Sequence, residues 1–277
     1  MSPEQLNVVF LGAGFGTRLK DLINTAKALV PKGKDRETLL EKLLNQLSKI
    51  PEPLAITLIS NGVFFDQFKD AIDQLKRLWQ QADAPIDLNI DVINNQAMTS
   101  NQRLGAIGDS IEVIDRMDWW EANKDVLILS SDTEIPDRTL MEFAKFAQAH
   151  PDGFCTIVRD MGDKTEIAGK LGCAVPDPSN PERMIDFVEK PTDPPSTLAS
   201  IPMYYWPKNL LGKLKEYQTY INEKYHNDPE NRQKYLDAPG RIIPWLIEQG
   251  VPVYMHVITG PTLDISSPES LNKYLAK

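Results

Sequence analysis

The chain is poor in the residues that mark several protein classes. Only two cysteines, Cys155 and Cys173, occur among 277 residues, and neither stands in a paired metal-ligand spacing. Two cysteines do not make a disulfide framework, so a reduced cytoplasm is the expected compartment. The three histidines, His150, His226 and His256, are scattered, which argues against a histidine-built metal centre. No apolar run approaches the roughly 20 residues that cross a bilayer, so no membrane is expected as a partner. The polar start Met1–Asn7 lacks a basic stretch followed by an apolar one, so no leader is expected. Positive charge is also short: the net charge of −9 excludes a general nucleic-acid backbone partner. An anionic small molecule is still allowed, because a local cluster of Lys, Arg and backbone N–H groups can override the global sign.

What is present alternates. Leu6–Leu11 is a short apolar run that predicts a buried strand, and the glycine-rich turn Gly12-Ala13-Gly14-Phe15-Gly16-Thr17 follows it. Thr38–Ile50 has helical spacing, with five leucines on one face and Pro51 beyond. Further strands are expected over Leu54–Ser60, Ile86–Ile93 and Asp125–Ser131, with helices over Phe64–Gln81, Arg103–Arg116 and Thr139–His150. This order predicts an α/β fold, a Rossmann-like, mostly parallel or mixed central sheet flanked by helices. Ligands of such sheets bind beyond the carboxyl ends of the strands, where the glycine turn and Asp132 both fall. After residue 150 short strands alternate with proline-rich turns, and Pro229–Tyr235 reads as a polar loop. A single domain over 1–277 is expected, in two halves of different pattern, about 1–150 and about 151–277.

Glycines let a backbone approach a phosphate closely and turn its N–H groups toward it. A dinucleotide turn reads G-x-G-x-x-G, but Thr17 takes the last glycine position here, and the Gly-Lys-Ser/Thr ending of a P-loop is missing. Arg18 follows at once, and a guanidinium there can grip a triphosphate through paired hydrogen bonds. Lys27 stands in Lys27-Ala28-Leu29-Val30-Pro31.

From Leu11 to Leu44 the chain resembles the sugar-1-phosphate nucleotidylyltransferase family, including its glucose-1-phosphate thymidylyl- and uridylyltransferases. The family pattern is a strand, G-x-G-T-R-L, a P-K-x-L-x-P segment, and G-K entering a leucine-rich helix. Gly14-Phe15-Gly16-Thr17-Arg18-Leu19, Lys27–Pro31, Gly33-Lys34 and Thr38–Glu41 match it in order. The departures are Ala26 in place of the family's proline and a loop before Lys27 that is one residue short; Lys20 or Lys32 could share the lysine's role. Three later segments continue the resemblance: Ser130-Ser131-Asp132-Thr133, Phe187-Val188-Glu189-Lys190-Pro191, and Leu263-Asp264-Ile265-Ser266-Ser267-Pro268.

The resemblance implies a Mg²⁺-dependent enzyme that joins a nucleoside triphosphate to a sugar 1-phosphate and releases pyrophosphate. It implies Arg18, Lys27 and Asp132 as catalytic residues and Asp132 and Asp264 as metal ligands. Gly12, Ala13, Gly14, Gly16 and Thr17 would hold the nucleotide, with Asn95, Asn101 and Gly105 beside the base. A capped helix start, with Ser100 or Asn101 as cap, is the plainer reading of that last stretch. Gly172, Glu189, Lys190 and Tyr204 would hold the sugar phosphate, although the turn Ile201-Pro202-Met203 is not the usual one. Asp237-Ala238-Pro239-Gly240 is shared with one branch of the family without an evident role. The chain stops soon after Asp264, so the β-helix extension of some relatives is not expected, whereas a homo-oligomer is compatible with the family.

Three other readings stand beside this one. A regulatory binding protein of the same fold would be expected to lack the arginine, lysine or aspartates, and this chain keeps candidates for all. A dinucleotide-dependent oxidoreductase needs a third glycine and an acidic residue closing the next strand, and Asp35 instead lies in a polar loop. A cytidylyltransferase acting on choline phosphate or another alcohol phosphate shares the chemistry but not the substrate.

Overall fold

The computed structural model describes residues 5–33, 36–52, 54–81, 86 and 88–276. Lys34, Asp35 and Asp87, and with them part of the Gly33-Lys34 match and of the Ile86–Ile93 strand, lie outside the described residues. The chain is an α/β fold built on a mixed central sheet flanked by helices. Its sheet strands are β1 (Leu6–Gly12), β2 (Leu54–Ser60), β3 (Asn89–Asn94), β4 (Val126–Ser130), β5 (Phe154–Asp160), β6 (Cys173–Asp177), β7 (Asn180–Val188), β8 (Leu198–Trp206) and β9 (Val253–Ile258). Two compact units are drawn from separated stretches of chain: 1–103, 129–141 and 261–277 form one, 104–128 and 142–260 the other.

In the first unit the strand order is β3-β2-β1-β4. Strand β1 pairs with β2 in parallel from Leu6↔Leu54 to Gly12↔Ser60, and β2 with β3 from Ala55↔Asn89 to Ser60↔Asn94. Val8, Val9 and Phe10 are fully buried, as a parallel strand covered on both faces requires. The helix Leu39–Leu47 starts at a capping box, Thr38 with Glu41, and buries Leu39, Leu40, Leu43, Leu44 and Leu47. The helix Phe65–Gln81 buries Phe68, Ile72, Leu75 and Trp79, a helical stripe that fixes its face against the unit's core. Two ladders of two residues each complete the unit, Pro31–Lys32 with Glu37–Thr38 and Thr133–Glu134 with Leu263–Asp264.

In the second unit the order is β4-β8-β5-β9-β7-β6. Strands β8 and β5 are antiparallel, β9 and β5 parallel, and β7 runs antiparallel to both β9 and β6. In its core Phe154 stacks on Tyr204 and meets Trp206 edge to face. The unusual Ile201-Pro202-Met203 turn is a bulge in β8: the register passes from Ile201↔Ile157 to Tyr204↔Thr156. Proline cannot donate to a ladder, and a bulge is where a strand tolerates it. The Thr156 hydroxyl donates to the freed Met203 carbonyl at 3.1 Å.

Pro229–Tyr235, read from sequence as a loop, is instead the start of a helix, Pro229–Asp237. Asp228 caps it by accepting from the Asn231 N–H, and Pro229 fills the first turn. Only Leu236 is buried along it, so it carries no apolar stripe to detect. Both cysteines are buried free thiols, and burial pushes that of Cys155 far above its ordinary range. No helix among the described residues is long and apolar enough to cross a membrane.

Candidate active site

In the first unit the end of β1 delivers the glycine turn. Gly16 adopts φ +58, a conformation that suits glycine, and Gly14 is exposed with open space where a side chain would stand. Buried Asn61, just past β2, holds the turn: its amide donates to the carbonyls of Ala13 (3.0 Å) and Gly14 (3.4 Å). Its own carbonyl accepts from the N–H groups of Val63 and Phe64, which fixes the amide's orientation. Arg18 and Thr17 are exposed beyond the turn, and Arg18 Nη1 donates to the Ser266 carbonyl at 3.3 Å.

Lys27 opens a short 3₁₀ turn, Lys27–Leu29. Its Nζ lies 2.7 Å from Asp132 Oδ2, both side chains being about a quarter exposed or less. Asp132 follows β4, and the Ser130 hydroxyl donates to its other oxygen, Oδ1, at 2.5 Å. Burial raises the proton affinity of the Asp132 carboxylate, but the Lys27 charge and the Lys27 and Ser130 hydrogen bonds outweigh it and keep the group below its usual range.

Asp264 comes from a distant part of the chain. The ladder places Asp264 opposite Thr133, and the Ile265 N–H donates to the Asp132 carbonyl at 2.9 Å. Asp132 directly precedes this two-residue ladder and Asp264 closes it, so the two carboxylates feel each other's charge. Burial and the Asp132 charge push the Asp264 carboxyl above its ordinary value, against the Ser266 hydrogen bond and the Lys27 and Arg18 charges. One cation shared by the pair would relieve this repulsion. Ser267 caps the helix Pro268–Leu275 in a capping box with Ser270.

Lys32 does not join this constellation. It pairs with Glu134, as does Lys42 at 3.1 Å. The base-side residues have local work as well. Asn95 Oδ1 accepts from the Ala97 N–H at 3.0 Å, and the Asn95 N–H donates to the Ser60 carbonyl. Asn101 is exposed in the 3₁₀ turn Ser100–Gln102, and the helix that follows starts after Leu104 with no side-chain cap, so neither Ser100 nor Asn101 caps it.

In the second unit Gly105 opens the helix Gly105–Arg116 at φ +80, and a side chain there would stand 2.7 Å from the Leu236 carbonyl carbon. That space is filled by backbone, so Gly105 serves close packing. Glu189 follows β7, whose Val188 pairs with Cys173, and so lies beside Gly172. A Cβ on Gly172 would come 2.4 Å from the Phe187 ring and 3.3 Å from Glu189 Oε2. One on Gly240 would come 2.8 Å from the same ring and 3.5 Å from the same oxygen. Two glycines therefore border one carboxylate, and this places the Asp237–Gly240 segment beside Glu189. Tyr204 is buried, and burial and the Glu189 charge push its phenol far above the ordinary range, against a hydrogen bond with Ser200. Lys190 is exposed at φ +51, a left-handed conformation uncommon outside glycine and frequent at functional sites.

Of the residues read from the sequence, the structure brings Lys27, Asp132 and Asp264 together beside Arg18 and the turn, and sets Glu189 beside Gly172 and near Tyr204. Sequence reading missed the contacts of Asn61 with the turn and of Ser130 with Asp132, and it gave Gly240 no role. Ser130 had a visible signal, a hydroxyl two residues before a strand-end aspartate.

This fold and this clustering define a nucleotide-transferring class, and comparison with known proteins agrees. The chain belongs to the nucleotidyl transferase family, whose model matches residues 7–239, and the enzyme class read from the sequence stands. Asp264 lies beyond the matched span, so its place rests on the ladder alone. No curated protein sequence matches the chain. Among solved structures, a UDP-glucose pyrophosphorylase complexed with UDP-glucose is 15% identical at TM-score 0.71, over 100% of this chain and 98% of that one. A nucleoside-diphosphate-sugar pyrophosphorylase from Vibrio cholerae is 17% identical at TM-score 0.67, over 98% and 100%. A UTP-bound UGPase from Acinetobacter baumannii is 17% identical at TM-score 0.64, over 100% and 93%. At these identities the likeness is one of fold.

Proposed function

We propose that the chain joins a nucleoside triphosphate, dTTP or UTP, to a sugar 1-phosphate, glucose 1-phosphate, giving a nucleotide sugar and pyrophosphate. The observation that carries this reading is the Lys27–Asp132 pair, with Asp264 across the ladder and Arg18 beside the glycine turn. The UDP-glucose and UTP named for the similar structures support the choice of base and sugar. The nucleotide side is assigned to residues of 1–150 and the sugar side to 151–277, with Asp264 the exception. A reduced cytoplasm, where buried thiols stay unpaired, is the proposed setting.

Arg18 and Lys27 neutralise the triphosphate over the N–H groups of the turn. Glu189 accepts from sugar hydroxyls, and Lys190 meets the sugar phosphate. A phosphate oxygen of the sugar phosphate attacks the α-phosphorus in line. The new P–O bond forms as the bond to the β-phosphate oxygen breaks, and pyrophosphate leaves with the electron pair. The nucleophile is already ionised at neutral pH, so no general base is needed, and catalysis is positioning and charge neutralisation. The donor set fits Mg²⁺, a hard cation that uses one or two carboxylates and fills its shell with phosphate oxygens and water. Asp132 and Asp264 would hold it, and no cluster of three or more His, Cys, Asp or Glu exists among the described residues to form a larger cage. Bound there, the ion supplies further neutralisation of phosphate charge.

The test is a pyrophosphate-release screen of the common nucleoside triphosphates against sugar 1-phosphates and choline phosphate, with and without Mg²⁺. Metal-dependent release with a sugar 1-phosphate is expected. Release with choline phosphate alone moves the chain to the alcohol-phosphate cytidylyltransferases. Nucleotide-sugar binding without release makes it a regulatory binding protein. Gly172→Ala is expected to raise KM for the sugar phosphate about ten-fold or more, because overpacking against Phe187 costs about 1–3 kcal/mol and displaces Glu189. Steady-state kinetics check this, and an unchanged KM removes Gly172 from the sugar side.

A further inference from the structure

Lys27 sits at the end of a stretch, Lys20–Ala26, with no strand or helix of its own. Such a segment leaves a long side chain poorly placed unless something outside it fixes the backbone. That something is one side chain, Gln67. Its Oε1 accepts from the Thr25 hydroxyl at 2.8 Å and from the Ala26 N–H at 3.1 Å. Its Nε2 donates to the Asn24 carbonyl at 3.3 Å. One amide therefore grips three consecutive residues directly before Lys27.

The grip is anchored. Gln67 stands on the helix Phe65–Gln81, and the next residue, Phe68, is buried against Gly12 at the start of the glycine turn. The same helix thus supports the phosphate turn through Phe68 and the Lys27 segment through Gln67. Ala26 itself has φ −58 and ψ 139, and its carbonyl accepts from the Leu29 N–H, which starts the turn that carries Lys27. A φ of −58 is the angle that a proline ring imposes covalently. Here alanine reaches it with a free N–H, and Gln67 takes up that N–H.

We propose that Gln67 is a positioning residue for Lys27, a non-covalent clamp that replaces covalent restraint of the segment before it. The effect on turnover rests on the nucleotidyl-transfer reading; the effect on Lys27 itself does not. Gln67→Ala releases Asn24–Ala26, and the Lys27 ammonium then spends less time on Asp132. Gln67→Glu keeps the acceptor for Thr25 and Ala26 and trades the donor to Asn24 for a carboxylate oxygen at the exposed edge of the grip. Gln67→Ala combined with Ala26→Pro restores the φ restraint without the amide.

Two measurements test this. Lysine acylation by a water-soluble activated ester, read at Lys27 by peptide mass spectrometry, reports its release without any substrate. Labelling about ten-fold faster in Gln67→Ala than in wild type is expected, on the scale of losing one or two net hydrogen bonds. Near-wild-type labelling in Gln67→Glu and partial recovery in the proline double variant are expected. In pyrophosphate release, Gln67→Ala lowers kcat about ten- to hundred-fold through misplacement of one charged group, with KM for the sugar phosphate unchanged. Wild-type labelling and wild-type kcat in Gln67→Ala overturn the clamp, and so does a loss in the alanine variant that the proline does not touch while thermal stability falls in step. If Gln67→Ala does not fold, Gln67→Leu with Ala26→Pro against Gln67→Leu alone carries the same comparison. Altered labelling in a protein whose wild type releases no pyrophosphate with any pair keeps the clamp and overturns the nucleotidyl-transfer reading instead.

Discussion

Asp132→Ala is expected to lower kcat by about 10²–10³, the loss seen when one preorganised charge-stabilising group leaves an active site. Both of its carboxylate oxygens are committed, Oδ2 to Lys27 at 2.7 Å and Oδ1 to Ser130 at 2.5 Å. Removing the carboxylate therefore takes away half of the proposed cation-binding pair and also the partner that holds the Lys27 ammonium. Asp132→Asn separates charge from shape: it keeps the volume and the Ser130 contact, and is expected to lose nearly as much rate with little change in thermal midpoint. Because Lys27 and Asp132 act as one unit, the double variant Lys27→Ala/Asp132→Ala should lose far less than the product of the single losses. Turnover assays at saturating substrates over a Mg²⁺ series check all three. Full activity in Asp132→Asn would remove this carboxylate from the site.

The parts of this site that could be read from sequence are those fixed by strand ends. The turn after β1 and Asp132 after β4 follow apolar runs that predict a strand, and a strand end in a parallel sheet is where ligands bind. The strand Leu54–Ser60 follows from local pattern and has the expected bounds. The helix Pro229–Asp237 was lost because its one buried residue gives no period, though Asp228-Pro229 is a start signal that needs no period. The meeting of Asp132 with Asp264 depends on ladders only two residues long, below any pattern's reach. The holding contacts were out of reach for the same reason. Asn61 to Ala13, Gln67 to Ala26 and Gly240 to Phe187 each join segments that only the fold brings together. Gly105 shows how one residue can answer two demands, since the glycine proposed beside the base is also required by the Leu236 backbone.

Glu134→Ala is expected to be the most destabilising single change near the site, by about 3 kcal/mol, the low end of breaking a buried ion pair. Its side chain is 7% exposed and accepts from both Lys32 and Lys42. Burial alone would raise its proton affinity, yet the two lysine contacts hold the carboxyl below its ordinary range, so the group is ionised where it sits. Truncation leaves two ammonium groups facing a space without an anion. At 22% and 24% exposure the lysines can recover some hydration, which is why the low end applies. Losing one lysine should cost far less, because Glu134 keeps the other; Lys32→Met and Lys42→Met are each expected within about 1 kcal/mol of wild type. Glu134 also belongs to the ladder that sets Asp132 beside Asp264, through its pairing with Leu263. Glu134→Gln, which keeps the shape and an acceptor, should therefore retain more activity than Glu134→Ala at equal fractions folded. Urea unfolding midpoints beside pyrophosphate release make the comparison. A Glu134→Ala midpoint equal to that of wild type would mean that the two lysines find water as readily as they find the carboxylate.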